Sequence, residues 1–334
     1  MSKIRTAVVG AGKMGAIHAR LYRELAQSEL VAVVDIEAEK ASRLAGKYRC
    51  AAFTDCKDIL GKVDAVTIAA PTTEHARLAE LFIENNVAVM IEKPLAGDAA
   101  QGRRIVELAD RHGTVIAVGH SERCNPVVQA MKRLNIEPKF IEATRVSPYP
   151  FRSTDVGVVL DVMIHDIDIV LSLAASRVRQ VDAVGVGVID QQEDICSARI
   201  YFDSGCIANI TASRLALKTE RKVRVFSRQA YLSLDYLKKS GTVIKADPNV
   251  DVPAKVRQLR DSGRLEFLKT NWADLLHIEK LQIDDKEPLR TEQEAFLQAV
   301  ADRTARPEVS GQEALAALEC AEMILESVKQ HRWD

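Results

Sequence analysis

Residues 157–170 read GVVLDVMIHDIDIV, an apolar run carrying one histidine and three aspartates. Its density of Val, Ile, Leu and Met, continuing to Leu173, predicts a largely buried helix rather than a solvated loop. At roughly 100° per residue, Asp161, His165 and Asp168 share a stripe about 60° wide, with Asp166 pointing away from it. Two chemistries fit that stripe. One is a set of buried polar groups satisfied by each other and by nearby backbone. The other is an acid/base pair one turn apart, the Asp161 carboxylate holding the His165 imidazole toward a cleft.

A second candidate stands near the N-terminus, where GAGKMG places Gly10, Gly12 and Gly15 in GxGxxG order. A Gly-rich turn alone is weak, but this one follows the strand KIRTAVVG and opens a helix at about Lys13. Twenty residues past Gly15, Asp35 closes a second strand, LVAVVD, where its carboxylate can accept from a ribose. The backbone N–H groups of Lys13 and Met14 would then face a pyrophosphate. The competing reading makes Asp35 a cap for the next helix. A carboxylate here repels a 2'-phosphate, and Ile36 supplies no cation, so NAD is expected rather than NADP.

These residues need a frame. Residues 1–122 alternate short apolar strands with amphipathic helices, including TEHARLAELFIENN and AAQGRRIVELADRHG. That pattern predicts a doubly wound parallel sheet with helices on both faces, a Rossmann domain. Residues 123–334 read differently: KFIEATRV, the helix above, and then VRQVDAVGVGVI, DICSARIYF, CIANITASRLA, RKVRVFS and AYLSLDYL. Consecutive strands with turns such as DSG predict an α+β domain with an open antiparallel sheet. Helices are expected at TEQEAFLQAVADR and SGQEALAALECAEMILESVKQ, the second opened by Ser310 with Glu313 as a capping box. A sheet with one face uncovered by helices predicts a homodimer or homotetramer.

The 334 residues suffice for two cores, and 46 basic against 47 acidic side chains favour neither nucleic acid nor membrane. A small-molecule partner is the expectation. With no cleavable signal and no long apolar run, the chain is expected to be cytoplasmic. The six cysteines show no CxxC and no metal-ligand spacing, so no metal is expected and the thiols read as packing residues.

In this order, GAGKMG with Asp35, AAPTTEH at 69–75, EKPLA at 92–96, VGHSERCNP at 118–126 and DVMIH resemble the glucose-fructose oxidoreductase, inositol dehydrogenase and MocA-like family. The resemblance implies an NAD(P)-dependent oxidoreductase acting on a secondary hydroxyl of a sugar or cyclitol. It implies that Lys93 is the catalytic lysine, with Asp161 and His165 as the partner pair. Pro71, Thr72 and His75 fall on a loop bordering the cofactor, with Glu92 beside it. GHSERCNPVV looks like the segment of members that oxidise the 3-hydroxyl of UDP-N-acetylglucosamine, where an Arg and Asn pair, here Arg123 and Asn125, lies near the cleft; Cys124 departs from the aromatic usual there. Helix capping and an interdomain ion pair are the alternative for those two. Arg145 and Arg152 could meet a diphosphate. A cyclitol or free-aldose dehydrogenase and a non-catalytic NAD-binding regulator are the other readings. His18, His112 and His277 read as ordinary helix or surface residues.

Overall fold

The computed structural model describes residues 3–149, 156–189, 191–246, 252–262 and 276–331. They form two compact units, one of residues 1–125 with 286–326, the other of 126–285 with 327–334.

In the first unit six strands, β1 (Ile4–Val9), β2 (Ser28–Val34), β3 (Ala51–Phe53), β4 (Ala65–Ile68), β5 (Ala88–Glu92) and β6 (Ile116–Gly119), pair in parallel in the order β3-β2-β1-β4-β5-β6. All four residues of β4 are buried, so it is apolar but for Thr67, whose hydroxyl lies 2.6 Å from the Tyr22 hydroxyl. Helices α1 (Lys13–Glu24), α2 (Ala38–Tyr48), α3 (Thr72–Glu84) and α4 (Ala99–His112) connect the strands. Their ends follow local chemistry. The Asp98 carboxylate accepts from Gln101 N at 2.8 Å to start α4, and Gly113 at φ 61° ends it. The order reverses between β1 and β4, so their carboxyl ends diverge into a crevice of the kind that receives ligands in such sheets.

The second unit opens with α5 (Pro126–Lys132) and β7 (Phe140–Val146). A π-helical turn (Val159–Met163) then feeds α6 (Ile164–Ala174), so the expected single helix changes pitch where Ile164 N–H reaches back to Val159 O. Next come β8 (Val178–Val186), β9 (Ile195–Phe202), β10 (Ile207–Ser213), β11 (Glu220–Phe226), β12 (Ala230–Asp235), β13 (Ser240–Ala246), α7 (Val252–Asp261) and β14 (Leu276–Lys280). The eight-stranded sheet runs β14-β13-β12-β11-β7-β10-β9-β8 and is antiparallel except where β7 and β10 pair in parallel. The face on which Glu142, Thr144, Ser197, Arg199, Asn209 and Lys222 lie carries a concavity of about 510 Å³. Its lining is more polar than the alternation of the strands suggested.

The chain ends with α8 (Pro288–Ala301) and α9 (Gly311–Gln330). The Ser310/Glu313 capping box forms as expected, with Ser310 N donating to Glu313 Oε2 at 3.0 Å and Glu313 N donating to Ser310 Oγ at 3.3 Å. Residues 286–326 differ from expectation in belonging with the first unit rather than the second. The reason is non-local: Phe296 and Leu297 are fully buried in a core shared with Val8, Ala19, Tyr22, Val33 and Met90.

Candidate active site

The glycine loop sits at the switch point. Gly10 has φ 99°, and a Cβ there would lie 2.4 Å from Ala69 O, so both conformation and the approach of β4 exclude a side chain. A Cβ on Gly15 would lie 1.8 Å from Gly10 O, which lets α1 start tight against the loop. Gly12 is the reverse case: its Cβ would meet nothing within 4 Å, leaving open space in front of the α1 N-terminus. No side chain caps that terminus and no acidic residue occupies its first turn, while Lys13 and Met14 are exposed. This fits a pyrophosphate on the α1 N–H groups.

Asp35 Oδ2 accepts from Ala11 N at 2.7 Å and Oδ1 from Glu37 N at 2.9 Å. The carboxylate thus joins the glycine loop to the start of α2, whose N-cap is Glu37, and each oxygen keeps a further lone pair for a ribose hydroxyl. Ile36 beside it is 90% exposed.

At the carboxyl end of β5, Glu92 and Lys93 are half-buried and the Lys93–Pro94 peptide is cis. His75 is buried, with Nδ1 2.8 Å from Pro94 O and Nε2 3.0 Å from Ala70 O, so it ties two loops together. Burial pushes its pKa down against the pull of the two carbonyls and of Glu92. Pro71 precedes α3 as an exposed N-cap and Thr72 is its first residue. Burial raises the Glu92 carboxyl, but the hydrogen bond from His18, with the charge of Lys93 beside it, outweighs burial and holds Glu92 below the usual range.

In the second unit Asp161 lies on the π turn and His165 on the first turn of α6, both half-buried, whereas Asp166 and Asp168 are buried. Asp166 points into the unit and takes a two-pronged contact from Arg145, Nε to Oδ2 at 2.8 Å and Nη2 to Oδ1 at 2.9 Å. Arg145 is 5% exposed, so the expectation that it meets a diphosphate is corrected: it anchors α6 to β7. The start of the helical run is tied as well. Glu193 O accepts from Val158 N at 2.9 Å and Glu193 Oε1 from Val159 N at 3.1 Å. A Cβ on Gly157 would lie 2.0 Å from that same oxygen. Alongside, Arg214 Nε donates to Asp194 Oδ1 at 2.7 Å and Arg214 Nη1 to Val156 O at 3.1 Å.

Arg123 is 3% exposed and its Nη1 donates to Glu313 Oε1 at 3.0 Å, while Asn125 Nδ2 donates to Glu122 Oε2 at 3.1 Å. The Arg123 ion pair lies within the first unit rather than between domains, and it holds a 3-10 turn (Ser121–Cys124) to α9. Arg152 lies outside the described residues. His18, read from sequence as ordinary, is fully buried with Nε2 2.7 Å from Glu92 Oε1. The signal was available: Gly15, His18, Ala19 and Tyr22 form the buried stripe of α1.

Comparison with known proteins accords with this geometry. A family described as "Oxidoreductase family, NAD-binding Rossmann fold" matches residues 4–120, and a "GFO/IDH/MocA C-terminal domain" matches residues 139–233. The UDP-N-acetylglucosamine 3-dehydrogenase of Acidithiobacillus ferrooxidans is 35% identical over 238 residues, 71% of this chain and 75% of that protein. Its solved structure superposes with a TM-score of 0.87 at 29% identity, covering 99% of both chains. The inositol 2-dehydrogenase of Rhizobium meliloti is 26% identical over 346 residues, 98% of each chain.

Proposed function

Because this chain belongs to the Gfo/Idh/MocA oxidoreductase family, we propose that it oxidises the 3-hydroxyl of UDP-N-acetylglucosamine with NAD. The observation that carries the substrate is the likeness to the Acidithiobacillus dehydrogenase along nearly the whole chain. NAD rather than NADP is supported by the Asp35 carboxylate beside Ile36, which offers a ribose an acceptor and a 2'-phosphate only repulsion.

NAD, when bound, supplies the hydride acceptor. The glycine loop and α1 hold its pyrophosphate, and Asp35 holds its ribose. The substrate loses a hydride from carbon and a proton from the hydroxyl, and the chain's task is the proton. His165 takes it, Asp161 orients the imidazole and favours its protonated form, and Lys93 stabilises the developing alkoxide. The two-pronged contact of Arg145 on Asp166 keeps the helix bearing His165 from turning about its axis.

The test is a panel of NAD or NADP with UDP-N-acetylglucosamine, myo-inositol and free aldoses, read by NADH absorbance and by melting temperature. Turnover and a raised melting temperature with the UDP sugar support the reading. Turnover confined to inositol or an aldose replaces the substrate, and binding of NAD with no turnover of any of them makes the chain a sensor. A homodimer or homotetramer joined through the second unit's sheet belongs to the same proposal. What supports it is the open face and the aromatic group at its end, where Phe226 lies 5.7 Å from Phe140 and 4.8 Å from Tyr231 by ring centroids. Light scattering that gives a monomer at micromolar protein refutes it.

A further inference from the structure

Behind Lys93 runs a chain of buried polar side chains that proton transfer at the substrate does not itself use. It begins on α8, where Gln293 is fully buried and its Nε2 lies 2.9 Å from His18 Nδ1, a residue 275 positions away. The same nitrogen lies 3.4 Å from His18 O, an acceptor, which identifies it as the donating end of the amide. An amide NH₂ only donates, so Nδ1 is the accepting nitrogen of the ring and the proton sits on Nε2. That proton points at Glu92 Oε1, 2.7 Å away. Glu92 is the last residue of β5, and Lys93 follows it directly. The Glu92 carboxylate rests over Gly119 on β6, where a Cβ would come within 3.2 Å of Cδ and Oε2. On the far side of Lys93, His75 holds Pro94 O.

We infer that Gln293 and His18 are positioning residues for Lys93, acting through Glu92. The inference rests on the proposed role of Lys93. The links run one way: the amide sets the tautomer, the tautomer gives the carboxylate a donor, and the carboxylate so held fixes the residue from which Lys93 follows. Packing alone does not call for this, since apolar side chains fill a buried site without requiring that every donor meet an acceptor. The chain makes the returning C-terminal helix part of the lysine's support. It also explains a glycine at position 119, which leaves room for the carboxylate.

Two measurements on Gln293→Met and Gly119→Ala, which break the chain at its far end and crowd it at its near end, test this. The first is amide hydrogen exchange in the protein without cofactor or substrate. Exchange at Lys93 should quicken in both variants while the amides of β1 and β4 keep their protection. Faster exchange everywhere, or none at Lys93 in either variant, overturns the inference. The second is kcat with NAD and UDP-N-acetylglucosamine per folded molecule. Gln293→Met should lower it roughly ten- to a hundredfold with little change in NAD affinity, and should cause no further loss in a Lys93→Ala background. Equal losses in both backgrounds show a merely structural residue and overturn the inference. Undiminished turnover of Lys93→Ala overturns the reading of Lys93 itself. Diminished turnover of Lys93→Ala with normal turnover of Gln293→Met and Gly119→Ala overturns only the inference. Should Gln293→Met fail to fold, Gly119→Ala carries both measurements.

Discussion

Lys93 and His165 are held by different means. Lys93 follows a strand, where the backbone turns away and offers no repeating hydrogen bond to fix it, and side chains on either side of it supply the hold: Glu92, the last residue of β5, is itself bonded by His18, and His75 bonds the carbonyl of Pro94. His165 belongs to a helix, whose own ladder sets its direction once the helix is anchored. The anchoring is done at a distance from the imidazole, by Glu193 at the helical start and by Arg145 on Asp166. A loop residue needs its supports adjacent, whereas a helical one transmits them along several residues. The two units should accordingly respond differently to damage.

The largest expected effect is on turnover. His165→Ala and Lys93→Ala should each lower kcat by about 10² to 10⁴ while NAD binding stays nearly intact, with Asp161→Asn falling in the same direction. If His165→Ala lowers the melting temperature but leaves turnover per folded molecule unchanged, the stripe is a packed polar core. Next comes Arg214→Met, which leaves the Asp194 carboxylate, fully buried, without its guanidinium. A loss of about 3–5 kcal/mol is expected, read as early unfolding of the second unit in urea, with the first unit's transition unmoved. A single unchanged transition would mean that the pair contributes nothing to the helix anchor.

A smaller effect is expected at the cofactor. Asp35→Ala should weaken NAD by roughly tenfold or more, as loss of a hydrogen bond to a charged group does, and narrow the preference over NADP. Isothermal titration with both cofactors checks it, and NADP binding as tightly as NAD to the unaltered protein sinks the assignment. The smallest is a pH effect on the Lys93 support. Burial raises Glu92 but His18 and Lys93 lower it further, so its folded pKa lies under the ordinary 4.5. A depressed carboxyl adds stability that is complete above that value and lost as pH falls through the folded one. Melting curves between pH 6 and pH 3 should therefore show a steeper fall for the unaltered protein than for Glu92→Gln.

Much of this frame was legible in the residues themselves. The first unit's strands and helices fall where their periods and caps put them, and Asp98, Gly113 and the Ser310/Glu313 box end or begin helices by contacts within a few residues. The glycine order already told of a tight turn, because Gly10 at φ 99° and Gly15 under a carbonyl tolerate nothing larger. Short strands such as β3, three residues without alternation, escaped because pattern needs length. So did the π turn, since a change of pitch leaves the composition of a helix unaltered.

What the sequence alone determined, then, was whatever depends on neighbours in the chain: strand and helix type, their ends, and the cofactor loop. Tertiary structure alone decided which polar groups became partners. Arg145 turned inward because Asp166 met it across β7 and α6, Arg123 because Glu313 returned from a position 190 residues later, and His18 because α8 packed Gln293 over it. A buried charge or amide must find a partner wherever the fold brings one, and the chain's local periodicity carries no record of which distant residue that will be.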